Sequence, residues 1–181
     1  MGKWWIALIA LVSSTVWSAP QVTFETNLGA FTVELNQEKA PITVANFLHY
    51  VKDGSYVGSQ FHRVIPGFMA QGGGFDANLK TLNTELPIKN EAYNGLRNDT
   101  ATIAMARTNN PDSATRQFFI NLKDNDFLNF SRQNPGYAVF GKVTKGFDVI
   151  QKMATKPTHN VGFMQDVPVT PIVISKVTLT P

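Results

Sequence analysis

A closed, eight-stranded antiparallel β-barrel with two helices is the fold class this sequence predicts. Three observations predict it. Eight short runs of β-type residues follow one another with Gly, Pro and Asn signals between them, and about eight strands close a small barrel around its own side chains. Only two stretches carry the apolar period of a helix. The chain has 181 residues, 43% hydrophobic and 16% charged, which is matter for one core in one domain.

The elements follow in order. Residues 21–26 (QVTFET) and 30–35 (AFTVEL) alternate around Asn27-Leu28-Gly29, a hairpin signal. Stretch 41–53 (PITVANFLHYVKD) sets Val44, Phe47, Leu48 and Val51 on one stripe, with Pro41 suited to the first turn and Gly54 to the stop. Strands are then expected at 61–65 (FHRVI), 68–71 (FMAQ), 101–106 (ATIAMA), 117–122 (QFFINL) and 137–143 (YAVFGKV). A shorter helix over 145–154 carries Phe147, Val149, Ile150 and Met153, and 172–179 (IVISKVTL) is the last strand. Residues 72–100 and 155–171, rich in Gly, Asn, Pro and Thr, read as long surface loops.

Residues 1–19 read as a leader. Lys3 is a short positive start, Trp4 to Val12 an apolar run, and Ser18 and Ala19 small residues at the cut, the layout of a secretory signal peptide. The run is short for a bilayer span, which needs about 20 apolar residues. Cleavage after Ala19 puts Pro20 beside the cut, and cleavage after Ser18 is the alternative. An uncleaved anchor or an N-terminal core helix is the competing reading. The mature chain is then a single domain over 20–181, expected in the periplasm or else secreted. No second apolar run reaches membrane length, so no membrane association is expected after cleavage.

Several chemistries drop out. There is no cysteine, which excludes disulfides, thiol nucleophiles and iron–sulfur sites. Sixteen basic against thirteen acidic residues leave a formal +3, a small excess that does not imply nucleic acid. His49, His62 and His159 lack metal-ligand spacing, and His62 is expected to pack or hydrogen-bond structurally. No Lys-Ser/Thr follows Gly74, no GxGxxG opens a helix, and there is no GxSxG elbow.

The unusual segment runs from Phe61 to Gly74: an arginine inside an apolar strand, a Pro66-Gly67 turn, Phe68 and Met69, a Gln, and three glycines. Strand alternation predicts Phe61, Arg63 and Ile65 on one face and His62 and Val64 on the other. Met69 and Gln71 share a face; Phe68 joins them only if the chain twists after the turn. Gln117 and Phe119 share a face opposite Phe118 and Ile120. A strand arginine is most often a surface group and a Phe-Met pair most often core. Pattern alone therefore leads to an exported β-barrel with a mixed apolar and polar groove, and no further.

The run FHRVIPGFMAQGG (61–73) resembles the signature of the cyclophilins, the peptidyl-prolyl cis–trans isomerases. TIAMAR (102–107), SATRQFFINL (113–122), FL (127–128) and GYAVFGKVTKGFDVIQKM (136–153) follow in the same order and spacing, so the resemblance spans nearly all of 21–181. NEAYNGL (90–96), Phe127 and Tyr137 look like the exported bacterial branch. The resemblance implies a barrel capped by two helices, with its groove outside the barrel. It implies Arg63 as the catalytic guanidinium and Gln71 as the hydrogen-bonding partner of the substrate backbone, with Gln117 alongside. Phe68, Met69, Phe119 and Leu128 become the proline pocket, and Ala106 and Arg107 supply wall and backbone contacts.

Three positions depart from the eukaryotic pattern. Phe127 stands for Trp and Tyr137 for His, which leaves activity intact but removes an indole donor, so weak cyclosporin binding is expected. Arg107 stands for Asn, and its charge is expected to bias substrates. The implied partners are proline-containing polypeptides, chiefly unfolded exported proteins, met by a monomer without a cofactor. The competing function is a non-catalytic proline-peptide binder or chaperone on the same scaffold. A lipocalin-like hollow barrel disagrees with the many alternating Phe, Ile and Val residues.

Overall fold

The computed structural model describes residues 19–180, so the leader expected over 1–19 lies, but for Ala19, outside the described residues. The strands are β1 (Gln21–Thr26), β2 (Gly29–Leu35), β3 (Ser59–Ile65), β4 (Met69–Asp76), β5 (Thr102–Met105), β6 (Phe118–Asn121), β7 (Val139–Lys145), β8 (Thr158–Val161), β9 (Met164–Pro168) and β10 (Ile174–Thr180). The helices are α1 (Pro41–Lys52) and α2 (Phe147–Met153), with short 3₁₀ turns at Ala92–Asn94 and Asp126–Leu128. Every strand and both helices expected from the sequence are present. The hairpin β8–β9 was expected as loop: β8 is THNV, largely exposed, with no apolar alternation to reveal it. The glycines of 72–74 likewise belong to β4 rather than to a loop.

Eight strands form one antiparallel sheet in the order β10-β1-β2-β7-β5-β6-β4-β3. The sheet is an open half-barrel turning through 245°, not the closed barrel expected. Its two edge strands, β3 and β10, meet at the single bridge Gln60–Val173, helped by Phe61 N donating to Ile172 O and Gly58 N to Ile174 O. Asn27, in the β1–β2 turn, holds Val173 from the opposite side, the side of β1. Its Oδ1 accepts the Val173 N–H at 3.0 Å and its own N–H bonds the Val173 carbonyl at 3.3 Å. Pro171 just upstream has no N–H to offer. The hairpin β8–β9 instead lays β9 against the β3 edge, covering groups that would otherwise be open to strand addition.

The interior is filled. Phe24, Phe31, Phe47, Tyr56, Phe61, Phe118 and Phe140 form a continuous aromatic core, with centroids such as Phe24–Phe31 at 5.1 Å and Phe47–Phe140 at 5.0 Å. Among the described residues this packed core leaves no hollow lumen of the lipocalin kind. Helix α1 buries Val44, Phe47 and Val51 as expected, and Tyr50 besides. Its N-cap, Ala40, has no capping side chain. Glu91, far along the chain, does that work: its carboxylate accepts the N–H of Ile42 (3.2 Å), the N–H of Thr43 (2.8 Å) and the Thr43 hydroxyl (2.7 Å). A buried anion at a helix N-terminus satisfies orphan donors and meets the positive end of the helix dipole. It also ties the long 77–101 connection to α1.

Candidate active site

The site begins with a fault in a ladder. Along β3–β4, Ile65 pairs with Met69, Val64 with Ala70, and Arg63 with Gln71; then Phe61 pairs with Gly72. Two residues of β3 advance for one of β4, which is a β-bulge around His62, and such a bulge re-aims the side chains on either side of it. Alternation expects Phe61 beside Arg63, and this is corrected. Phe61 turns inward with Val64 into the barrel core, while Arg63 is half-buried on the other side. His62 is itself buried, its ring edge-on to Phe75 at 4.6 Å, and burial pushes its imidazole pKa down to about 4.

Directly paired residues of an antiparallel sheet share a face. One row therefore crosses five strands on the outer surface: Arg63, Gln71, Phe119, Ala104 and Val139. Met69, Ala104, Phe119, Leu128 and Val139 form an apolar cluster separate from the barrel core, with Phe68, Ala106 and Tyr137 packed against it. Ala104, paired with Phe119 on one side and Val139 on the other, is fully buried within this cluster. Of the expected site residues, Arg63, Gln71 and Phe119 thus share one row on the outer face of the sheet, and Phe68, Met69, Leu128, Ala106 and Tyr137 join Phe119 in the apolar cluster beside it.

Phe68 does turn to join Met69. Gly67 takes φ +66°, a conformation suited to glycine, and the Phe68 N–H closes the turn on Ile65 O at 3.1 Å. The Phe68 ring then lies 5.6 Å from that of Phe127, which is 63% exposed at the rim. Along the other edge, Gln71 Nε2 donates to Gln117 Oε1 at 2.9 Å. Gln117 has room because residue 74 is Gly: a Cβ there would stand 2.5 Å from the Gln117 side chain. The Arg63 guanidinium makes no hydrogen bond or ion pair among the described residues. Its N–H donors are therefore not committed to another side chain or carbonyl of the groove.

Two supports were not foreseen from the sequence. Asn98, Asn121 and Asn125 form a ladder beneath the groove. Asn125 Nδ2 donates to Phe68 O (2.9 Å) and Asn121 Oδ1 (2.8 Å), Asn121 Nδ2 donates to Asn98 Oδ1 (3.1 Å), and Asn98 Nδ2 reaches Leu128 O (3.2 Å) and Tyr137 O (3.3 Å). Three residues of the groove are thereby held by their carbonyls. The signal was a single polar residue, Asn121, at the end of the apolar strand FFIN. Arg116 is the second support. It is 2% exposed and binds the carbonyls of Gly73 (2.6 Å), Asn83 (2.7 Å) and Ser55 (2.7 Å) beneath the Tyr50 and Tyr56 rings.

At the far end, Tyr137 meets Phe119 edge-on at 5.8 Å, and the Arg107 Cζ sits 4.3 Å above the Tyr137 ring. A separate concavity of about 1270 Å³ between β2 and the 96–102 segment shares only Leu96 and Val139 with the groove's apolar cluster.

Residues 21–179 match the model of the cyclophilin type peptidyl-prolyl cis–trans isomerase family. The chain is a cyclophilin. It is 56% identical over 167 residues to a peptidyl-prolyl cis–trans isomerase of Acinetobacter baylyi, covering 92% of this chain and 89% of that one. It is 52% identical over 162 residues to peptidyl-prolyl cis–trans isomerase B of Escherichia coli, covering 88% and 99%. A Cryptosporidium parvum cyclophilin crystallised in the presence of the dipeptide Ala-Pro superposes with a TM-score of 0.73 at 26% identity, over 89% of this chain and 99% of that one. This cyclophilin is accordingly a peptidyl-prolyl cis–trans isomerase, an enzyme rather than a bare scaffold.

Proposed function

We propose that this cyclophilin turns X-Pro bonds with Arg63 as the donor to the twisted amide and with Phe68, Met69, Phe119 and Leu128 as the slot for the proline ring. One observation carries the reading: a guanidinium without a protein partner among the described residues stands in one sheet row with Gln71 and Phe119, beside an outward-facing apolar cluster. Amide resonance sets a barrier of about 18–20 kcal/mol, and uncatalysed exchange takes roughly tens to hundreds of seconds. Shortening about 100 s to about 1 ms asks for roughly 7 kcal/mol.

Rotation breaks no covalent bond, so the task is differential binding. As the amide twists, the prolyl nitrogen loses conjugation and becomes a better acceptor. A donor aimed there binds the twisted form more tightly than either planar form. Arg63 offers that donor as a planar fork of N–H groups. Gln71, braced by Gln117, and the backbone at Ala106 and Arg107 hold the peptide on one side while the other rotates. The apolar walls exclude water and strengthen the Arg63 contact.

Arg63→Ala is expected to keep the fold, read by circular dichroism, and to lose about 10²–10³ in kcat/KM on an Ala-Pro peptide. Undiminished turnover in a protease-coupled or NMR exchange assay would remove Arg63 from the mechanism.

The proposed substrates are proline-containing segments of unfolded exported proteins in the periplasm. The leader-like residues 1–19 support the compartment. The Ala-Pro dipeptide with which the superposed Cryptosporidium cyclophilin was crystallised supports the ligand class. Cyclosporin is expected to inhibit weakly, since Phe127 at the rim has no ring donor. Inhibition curves should tighten for Phe127→Trp; equal, tight inhibition of both proteins would refute this.

A further inference from the structure

We propose that Arg107 makes this cyclophilin favour proline segments that carry an acidic side chain within about three residues of the proline, on one side of it. The inference deepens the reading above and rests on the groove being the peptide site.

The Arg107 side chain is held in place before any peptide arrives. Its Nε and Nη2 donate to Gly136 O at 3.0 and 2.8 Å, its Nη1 donates to Thr108 O at 2.8 Å, and its plane lies over Tyr137. All three contacts are to neutral carbonyls. Among the described residues Arg107 forms no ion pair with a carboxylate. Asp112, which shares the Asn90 neighbourhood with Gly136, is engaged instead by the Asn90 N–H at 2.8 Å. A guanidinium has about five N–H donors, so two remain for a ligand, on a fork whose orientation is already fixed. Pairing a fixed cation loses less side-chain entropy than pairing a free one. Charge-assisted bonds to a carboxylate are also stronger than neutral ones.

The position sets the reach and the side. Arg107 contacts Tyr137, and Tyr137 contacts Phe119 in the slot, so the guanidinium is two ring contacts from the proline site. An extended chain advances about 3.3–3.6 Å per residue, which places the acidic residue within about three of the proline. Strand β5 carries Ala104 level with Phe119, and the Ala106 N–H then bonds Gln117 O at 3.0 Å. The Arg107 backbone therefore follows the segment beside Gln117, while its guanidinium is fixed against Gly136 and Tyr137, whose own N–H bonds Leu128 O at 2.9 Å, so the cation stands at one place along the groove. Arg63, the other guanidinium of the groove without a carboxylate partner, adds potential of the same sign.

The test is kcat/KM on a proline peptide in which Glu or Gln is moved through three positions on either side of the proline, at low and high salt. The expected result is an advantage of Glu over Gln of about three- to tenfold at one or two adjacent positions, all on one side, fading in high salt. The gain should appear mainly in KM, since the carboxylate is remote from the rotating bond and binds ground and transition states alike. Arg107→Gln should erase the Glu advantage, and Arg107→Glu should transfer it to a Lys peptide. Each ratio is taken on one protein, so partial unfolding of a variant lowers both rates alike and cancels. Equal rates on Glu and Gln peptides in the wild type overturn the proposal, as does a Glu advantage that survives Arg107→Gln. Absence of turnover on every Gln peptide would instead bring down the isomerase groove on which the proposal stands.

Discussion

His62 shows what one inserted residue does to a strand. Without the bulge it creates, Arg63 would follow Phe61 into an aromatic core, where a cation has no place. With it, the guanidinium is delivered to the outer face and the imidazole takes the buried position. Burial lowers the His62 pKa from the ordinary 6.5 to about 4. Above pH 6.5 the ring is neutral in folded and unfolded chains alike, and the burial does not depend on pH. Between 6.5 and about 4 the unfolded chain binds a proton that the folded chain refuses, so stability falls with pH, by up to about 3 kcal/mol. Below about 4 both forms are protonated and His62 contributes no further slope. Denaturation midpoints across this window should therefore decline more steeply for the wild type than for His62→Gln. Carboxylates titrate in both proteins, so the difference between the slopes is the measure, and parallel slopes would show that His62 is not the group responsible.

At the scale of elements, the groove depends on segments that are not themselves strands. The turn before β4, the Asp126–Leu128 3₁₀ turn and the start of the Tyr137 segment carry Phe68, Leu128 and Tyr137. The asparagine ladder holds their carbonyls in common, and Asn121 is its middle member, bonded on either side and to Thr102 Oγ1 at 2.9 Å. Asn121→Leu keeps the branched outline of the side chain, in bulkier form, but strands the amides of Asn98 and Asn125 in a buried place. A loss of about 1–3 kcal/mol in unfolding free energy is expected, together with weaker peptide binding by titration, because the walls lose their common brace. A variant with wild-type stability and affinity would mean the ladder is dispensable. The sequence displays the walls, since aromatic and thioether side chains stand out in a glycine-rich run. It does not display the brace, because asparagines at positions 98, 121 and 125 look like loop and strand-end residues until their partners are known.

Across the whole molecule, eight of the ten strands, both helices and the inner and outer faces of β4 and β6 are readable in the sequence, while the hairpin β8–β9 is not. These follow from side-chain period, from turn residues and from a long run of spaced motif residues, all of which are local properties of the chain. The open seam, the helix cap by Glu91, the asparagine brace and the buried Arg116 are not readable there. Each joins residues far apart in sequence, as Thr43 with Glu91, Gly73 with Arg116, and Asn27 with Val173. Arg116 illustrates the difficulty. By residue type it belongs at the surface, yet it is buried because three carbonyls from three separate segments and two tyrosine faces converge on it. The amino-acid order alone was enough for eight strands, both helices and the family resemblance. Which way Arg63 faces, where the sheet stops short of closing and what holds the groove walls had to come from the fold, because strand register and buried hydrogen-bond partners arise between segments whose meeting no local pattern encodes.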